Sequence, residues 1–295
     1  MAVNLSGLPD YVRQNSIDFV VKSITNAKTV EFLKNEDCFL VGVKGTEAIP
    51  LMDADVTLQE NDGCGRTPQG NTSISQVKIT VHPLKDEQDF CPKAYEKKFT
   101  VEFLTAGQTY TEELFAKEFM EVRASKIALA NEKLIWQGDT DEVDTNLNKF
   151  DGFIKLLPDA VVLPVGTTLL EQLQKAYLTV DQSVKNQEDF AIIISEDDLD
   201  TLNIELANKN IYKETDNQKL FGTSARLVAL PGLNGKDFIG MGRSRTLRVA
   251  TDLMNEAESA EMYYSPESKK IYQDFHYALG VQVVYPEEFK TFKKV

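Results

Sequence analysis

A chain of 295 residues, 42% of them hydrophobic, is long enough to bury a sizeable core and suits one large domain or two closely joined ones. Its 32 Lys and Arg stand against 46 Asp and Glu, and the net charge of −14 sets up a field that argues against wrapping a nucleic acid. Wholly apolar runs such as residues 191–194 reach four to five residues where a membrane span needs about 20, so no transmembrane helix is expected.

Residues 1–35 open with Ser6-Gly7-Leu8-Pro9, in a start that lacks the basic and apolar regions of a secretory signal and is read as cytoplasmic. Val12, Ile17, Val20, Val21 and Ile24 then recur in a rough helical rhythm, which predicts a short amphipathic arm rather than a core element. Short β-favouring pieces follow at residues 39–43, 56–58 and 74–81, the last alternating as Val77, Ile79 and Val81. Between them, Glu60-Asn61-Asp62-Gly63-Cys64-Gly65-Arg66-Thr67-Pro68-Gln69-Gly70-Asn71 gathers so many turn formers that a long exposed hairpin tip is expected. Thr109-x-x-Glu112 is a capping box, and no Pro or Gly interrupts the helical pattern from there to Gln137. Such a helix is about 40 Å long and reads as a strut. Phe115, Phe119 and Val122 form one stripe on it and Met120, Ile127 and Leu134 an adjacent one, a face wide enough to pack on a sheet.

A polar stretch at 138–148 precedes a second half of α/β texture. Thr168-x-x-Glu171 opens a helix with Leu169, Leu173, Ala176, Tyr177 and Val180 on one face. Residues 190–194 read as a buried strand, and Ser195-Glu196-Asp197-Asp198 caps a helix bearing Leu199, Leu202 and Leu206. Further strands are expected at 225–230, 238–241, 261–264 and 271–285, with Tyr264-Ser265-Pro266-Glu267-Ser268 as the turn between the last two.

No pattern of chemistry stands out. Cys38, Cys64 and Cys91 are too scattered for a disulfide framework, and His82 and His276 leave a zinc site little to draw on. The run Asp139-Thr140-Asp141-Glu142-Val143-Asp144 invites a calcium reading, but Val143, Asp144 and Phe150 stand where an EF-hand loop needs a ligand, a Gly and a Glu. It is read as a solvated loop. Gly232, Gly235, Gly240 and Gly242 do not complete a phosphate loop and are read as turns. One basic cluster, Arg243-Ser244-Arg245-Thr246-Leu247-Arg248, leaves ion pairing within or between chains, plain exposure and a phosphate contact open.

The order of amphipathic arm, long hairpin, strut helix, α/β lobe and closing strand resembles the major capsid proteins of tailed double-stranded DNA bacteriophages, the Hong Kong 97-type fold. Trp136-Gln137-Gly138-Asp139, followed by Leu147-Asn148-Lys149-Phe150-Asp151-Gly152-Phe153, is similar to the passage where that family's spine helix ends. Ser6-Gly7-Leu8-Pro9, Cys64-Gly65, Phe90-Cys91 and the closing stretch 275–289 resemble capsid proteins of Bacteroidetes phages, including crAss-like phages. The resemblance implies an α+β fold with an N-terminal arm at 1–35 and an extended hairpin with flanking strands at 36–91. It also implies a peripheral domain from 92–150 plus part of 245–285, with its spine helix at 110–137, and an axial domain from 151–245 plus the C-terminal end. The implied role is a non-enzymatic shell protein, without cofactor or metal, forming hexamers and pentamers of a phage head around double-stranded DNA. Scaffolding, portal and decoration proteins are its implied partners; the virion, assembled in the bacterial cytoplasm, is its location, with no membrane role. The cleavable N-terminal scaffolding segment of some members is missing, so it is expected either to have been removed or to be replaced by a separate scaffold. Covalent cross-linking is not carried over. Assembly contacts are expected at Asn61, Asp62, Gly63 and Arg66 of the hairpin tip and at Arg243, Arg245 and Arg248. The alternatives are an encapsulin-like compartment and a remote metal hydrolase using Asp139, Asp141 and Asp144.

Overall fold

A computed structural model describes residue 12 and residues 15–54, 56–59, 69–91, 112–164, 166–209, 219–252 and 259–294. The N-terminal segment forms two helices, α1 (Ser16–Thr25) and α2 (Lys28–Asn35), broken where Ala27 turns extended. Both are core elements, against the arm expected from their sequence: Phe19, Val20, Ile24, Val30, Phe32 and Leu33 are buried in the main hydrophobic core. Ten and eight residues of amphipathic pattern are too short to be stable alone, and packing on the strut supplies what propensity does not.

The strut is helix α3 (Glu112–Gln137); its expected cap at Thr109 lies outside the described residues, as do the side chains up to residue 116. It buries Met120, Ala124, Ile127, Ala128, Leu134 and Ile135. Val122, expected in the apolar stripe, is 63% exposed, because α1, α2 and a sheet all crowd the opposite side. Asn131 ties these layers together. Its Nδ2 donates to the Ser23 carbonyl of α1 at 3.2 Å, and its Oδ1 accepts the Tyr277 hydroxyl at 2.8 Å.

That sheet has five strands: β1 (Phe39–Val41), β4 (His82–Phe90), β9 (Leu247–Thr251), β10 (Ser259–Ser265) and the long β11 (Lys270–Val283). Leu279 of β11 pairs with both His82 and Thr251, so β4 and β9 flank it on opposite edges. Arg123 of α3 grips Asp86 of β4 through two bonds of 2.6 and 2.7 Å. Strands β2 (Thr46–Ala54) and β3 (Thr72–Thr80) make the expected hairpin, paired from Thr46↔Thr80 to Ala54↔Thr72. Residues 56–58, expected as a strand, are irregular and exposed, since the pairing ends before them.

A second five-stranded sheet runs in the order β5 (Val161–Val162), β12 (Phe289–Lys293), β8 (Phe238–Arg243), β6 (Phe190–Ser195), β7 (Arg226–Leu230). Strand β6 is buried on both faces. Ala191 and Ile193 face the main core with Trp136 and Phe238, while Ile192 and Ile194 face a second core with Leu173 and Leu202. The helices of the second core are α5 (Leu169–Thr179) and α7 (Glu196–Asn208), and short helices α4 (Phe153–Leu156) and α6 (Gln182–Lys185) fill the connections. Both expected caps form: Thr168 Oγ1 accepts the Glu171 N–H, and Ser195 Oγ the Asp198 N–H. On α5 Leu170 is buried and Leu169 only partly so, and Glu205 of α7 accepts the N–H groups of both. Gly240 and Gly242, read as turn residues, lie inside β8, where a Cβ on either would strike the Phe289 ring.

The Trp136-to-Phe153 passage is a structural clasp at the end of α3. Gly152 N–H donates to the Gly138 carbonyl at 2.8 Å, so closely that a Cβ on Gly152 would lie 2.7 Å from the Gly138 nitrogen. Trp136 packs on Phe153 and Phe238, joining the strut to the second sheet.

Candidate assembly interface

The basic cluster sits where the chain crosses between the sheets. Arg243 ends β8, residues Ser244–Thr246 form a 3-10 turn, and β9 begins at once in the first sheet. The return crossing is a second 3-10 turn, Pro286–Glu288, between β11 and β12. Glu288 clamps the two crossings together: it pairs with Arg245 through both carboxylate oxygens and with Arg243 at 3.4 Å. Arg243 also meets Asp189 at 2.9 Å, and Arg245 lies over the Tyr285 ring. The bond to Glu288 holds the Arg245 guanidinium above its ordinary value. Arg248 donates to the Asp37 carbonyl at 2.8 Å. All three arginines therefore make contacts within their own chain, and Arg245 and Arg248 keep part of their surface in water.

Asn61, Asp62, Gly63 and Arg66 lie outside the described residues. The hairpin strands below them are described, and they carry unusual exposure. Met52 and Ile74 stand directly opposite each other across the pair, 71% and 78% exposed, and Val56 and Leu58 continue the apolar exposure beyond β2. An isolated two-stranded hairpin is marginal in water, so apolar side chains placed on it this way ask for cover.

The acidic run holds a cation, and it is a lysine. Lys155 Nζ donates to Asp139 at 2.6 Å and Asp141 at 2.8 Å and pairs with Asp151 at 3.0 Å, which raises the lysine and holds the Asp139 carboxyl down. No metal-holding cluster of His, Cys, Asp or Glu is present among the described residues. Nor is any helix among them long and apolar enough to cross a membrane. Burial pushes the Cys38 thiol up to about 11, Cys91 is exposed, and Cys64 is outside the described residues.

Two features escape sequence reasoning. Glu132, near the C-terminal end of α3, is buried with its carboxylate accepting the Thr29 N–H at 2.9 Å, the Thr29 hydroxyl at 2.6 Å and the Gly232 N–H. Trp136 Nε1 donates to the same hydroxyl at 2.7 Å. One carboxylate thus joins α2, α3 and the turn after β7. On the solvent face of the first sheet, Glu261, Asp274 and Glu87 stand abreast on β10, β11 and β4. Burial and the neighbouring Glu87 push the Asp274 carboxyl up. Like charges facing across strands weaken a sheet, and only the strand register exposes the arrangement.

The two sheets, the strut helix and the projecting hairpin together define the α+β fold of tailed-phage capsid proteins, the Hong Kong 97 type. Among solved structures, the satellite phage P4 procapsid including size determination (Sid) protein aligns with a TM-score of 0.62 at 11% identity, over 90% of this chain and 87% of that one. The capsid of an empty GTA particle aligns at 0.55 and 11% identity, covering 90% of each chain. The cyanophage A-1(L) capsid aligns at 0.54 and 10% identity, over 90% of this chain and 92% of its own. No protein-family model and no curated protein matches the sequence.

Proposed function

We propose that this chain is the major structural protein of a phage head, assembling through hexamers and pentamers into an icosahedral shell around double-stranded DNA. The observation that carries the reading is the capsid fold over nine tenths of the chain, together with a hairpin on which Met52 and Ile74 stand 71% and 78% exposed. One surface repeated around a rotation axis gives closed rings, and small variations between five and six copies close a shell. The hairpin laps the adjacent subunit, with Asn61, Asp62, Gly63 and Arg66 as its contacts. Arg245 adds contacts from the crossing turn and Arg248 from the start of β9, and Arg243 supports Arg245 from within through Glu288. The proposed division is into hairpin region 36–91, peripheral domain 92–150 with part of 245–285, and axial domain 151–245 with the C-terminal end. The second sheet, whose strands all fall in 161–243 and 289–293, supports the axial unit, while β1 and β4 of 36–91 share the first sheet with β9, β10 and β11. The arm proposed for 1–35 does not hold for residues 16–35, whose helices α1 and α2 belong to the main core.

Scaffolding, portal and decoration proteins are the proposed partners, with assembly in the bacterial cytoplasm and residence in the virion. The kinship to Bacteroidetes and crAss-like phages rests on the short motifs at Ser6, Cys64 and Phe90 and on the closing strand. A structural rather than catalytic role is supported by the engagement of Asp139, Asp141 and Asp151 with Lys155. Electron microscopy of the expressed protein, with its scaffold, is the test: rings, sheets or shells are expected, and a strictly monomeric species overturns the reading. Nuclease-protected DNA inside particles is the expected content; a protein cargo instead identifies the encapsulin alternative.

A further inference from the structure

The hairpin leaves the body from a seat separate from both main cores. Val43, Ile79, Val81 and Ala250 are buried in a cluster of their own, with Leu40, Ile49 and Ala278 packed against it. The incoming chain reaches β2 through Gly42 and Gly45, at φ of 82° and 70°, conformations that side chains disfavour. The N–H groups of Gly42 and Val43 both donate to the Thr251 carbonyl, at 2.9 and 3.1 Å, and Val81 N–H donates to the Gly45 carbonyl at 2.8 Å. On the outgoing side Val81 alone separates β3 from β4, and the chain there presses on Gly280 of β11. A Cβ on Gly280 would lie 2.9 Å from the Thr80 carbonyl carbon, 3.0 Å from Val81 Cα, and nearer still to the Thr80 oxygen. Gly280 itself is ordinary paired strand, opposite Ala250, so clearance rather than backbone freedom is what requires the glycine.

We propose that Gly280 is a positioning residue for assembly. By letting the Thr80 carbonyl rest against β11, it sets the direction in which the hairpin leaves its subunit, and hence where Met52 and Ile74 meet a second copy of this chain. The inference rests on the shell reading for its consequence, but the geometry stands without it. Relieving a Cβ at Gly280 needs the β3 root to move by about 1 Å while the β2 root stays bonded. Across a strand spacing of about 4.8 Å that is a tilt of about 12°, and eight residues further out, near Thr72, it becomes a displacement of about 6 Å.

The direction can be read by electron–electron distance measurement on the full-length subunit. Spin labels on Thr72→Cys and Asp144→Cys, in a chain whose three native cysteines are replaced by alanine, report the hairpin against the body. Gly280→Ala is expected to shift that distance by several Å; a distance unchanged within about 2 Å overturns the inference. Assembly is then compared between wild type, Gly280→Ala and Leu202→Ala, which lowers stability from the second core, far from the seat. Gly280→Ala should cut the yield of closed shells at least tenfold while Leu202→Ala assembles, and equal loss in both overturns the positioning role. Val81→Ala, which loosens the seat without inserting an atom, serves if Gly280→Ala does not fold: it should broaden the label distance distribution, and an unbroadened one counts against the seat. Absence of shells from wild type overturns the shell reading, and the label distance judges Gly280 independently of it.

Discussion

Removing the Glu132 side chain should destabilise the subunit more than any other single-carboxylate substitution. Glu132→Ala strands the Thr29 and Gly232 N–H groups in the core, and each buried donor left without an acceptor costs about 1–3 kcal/mol, so a loss of about 3 kcal/mol or more is expected. Glu132→Gln keeps one carbonyl oxygen for these donors and removes a buried charge, so its cost should stay near about 1 kcal/mol. Urea titration reads the difference directly, because Trp136, the single tryptophan, shares the Thr29 hydroxyl with Glu132 and reports this junction by fluorescence. The pH dependence gives an independent check. Burial, opposed by the Thr29 bonds, raises the folded-state carboxyl above its ordinary 4.5, so folding takes up a proton between the two values. The stability contributed by the protonated form is full below 4.5 and is lost as pH rises through the folded value, so wild type should gain on Glu132→Gln as pH is lowered. A Glu132→Ala cost under about 1 kcal/mol, or equal costs for Ala and Gln, would refute the argument.

Gly138→Ala should cost about 2 kcal/mol or more in a thermal melt, because its Cβ would meet the Phe150 and Leu134 carbonyls, backbone atoms that cannot turn aside. Lys175 and the Thr167 donors hold the Glu171 carboxyl down to about 2, so its stabilising effect is present above 4.5 and lost as pH falls towards 2. In Glu171→Gln the acid limb of the melting profile should flatten accordingly. Met52→Ser with Ile74→Ser should leave the melting of the free subunit within about 0.5 kcal/mol of wild type, as exposed sites do, yet lower shell yield by electron microscopy.

What could be read from the sequence followed from signals that are local. Strand β6 is a continuous apolar run, and the caps at Thr168 and Ser195 satisfy backbone donors within three residues, so neighbours in sequence suffice to reveal them. The short strands β5, β9 and β12 have no such signature; β12 reads Phe289-Lys290-Thr291-Phe292-Lys293, and pairing with β8 and β5 makes it a strand. Helices α1 and α2 read as an arm because their periodicity is short, and whether such a face meets water or a core is decided elsewhere in the chain. Glu132 was invisible for a similar reason: a glutamate in a helix reads as surface until Thr29, 103 residues away, is brought beside it. The Trp136-to-Phe153 passage was legible as a motif but not as geometry, since the closeness of Gly138 and Gly152 appears only in three dimensions. Gly280 did carry a signal, a lone glycine inside a long alternating strand, which marks close backbone approach.

The charge of the chain constrains how copies can hold together. Each carries −14, and Glu261, Asp274 and Glu87 stand abreast on the outward face of the first sheet with Lys85 on Glu87 as a countercharge. The arginines best placed to bridge copies already hold Glu288, Asp189 and the Asp37 carbonyl in their own chain. Attraction between subunits must then come mainly from apolar surface such as Met52, Val56, Leu58 and Ile74, against a net repulsion. Repulsion is screened over about 30 Å at 0.01 M salt and about 10 Å at 0.1 M, whereas apolar contact is not screened at all. Raising salt across that range should therefore speed assembly and lower the protein concentration it needs, followed by light scattering on the purified chain with its scaffold. If salt instead dissolves the particles, ion pairs between subunits hold the shell, and the weight placed here on the hairpin's apolar face is misplaced.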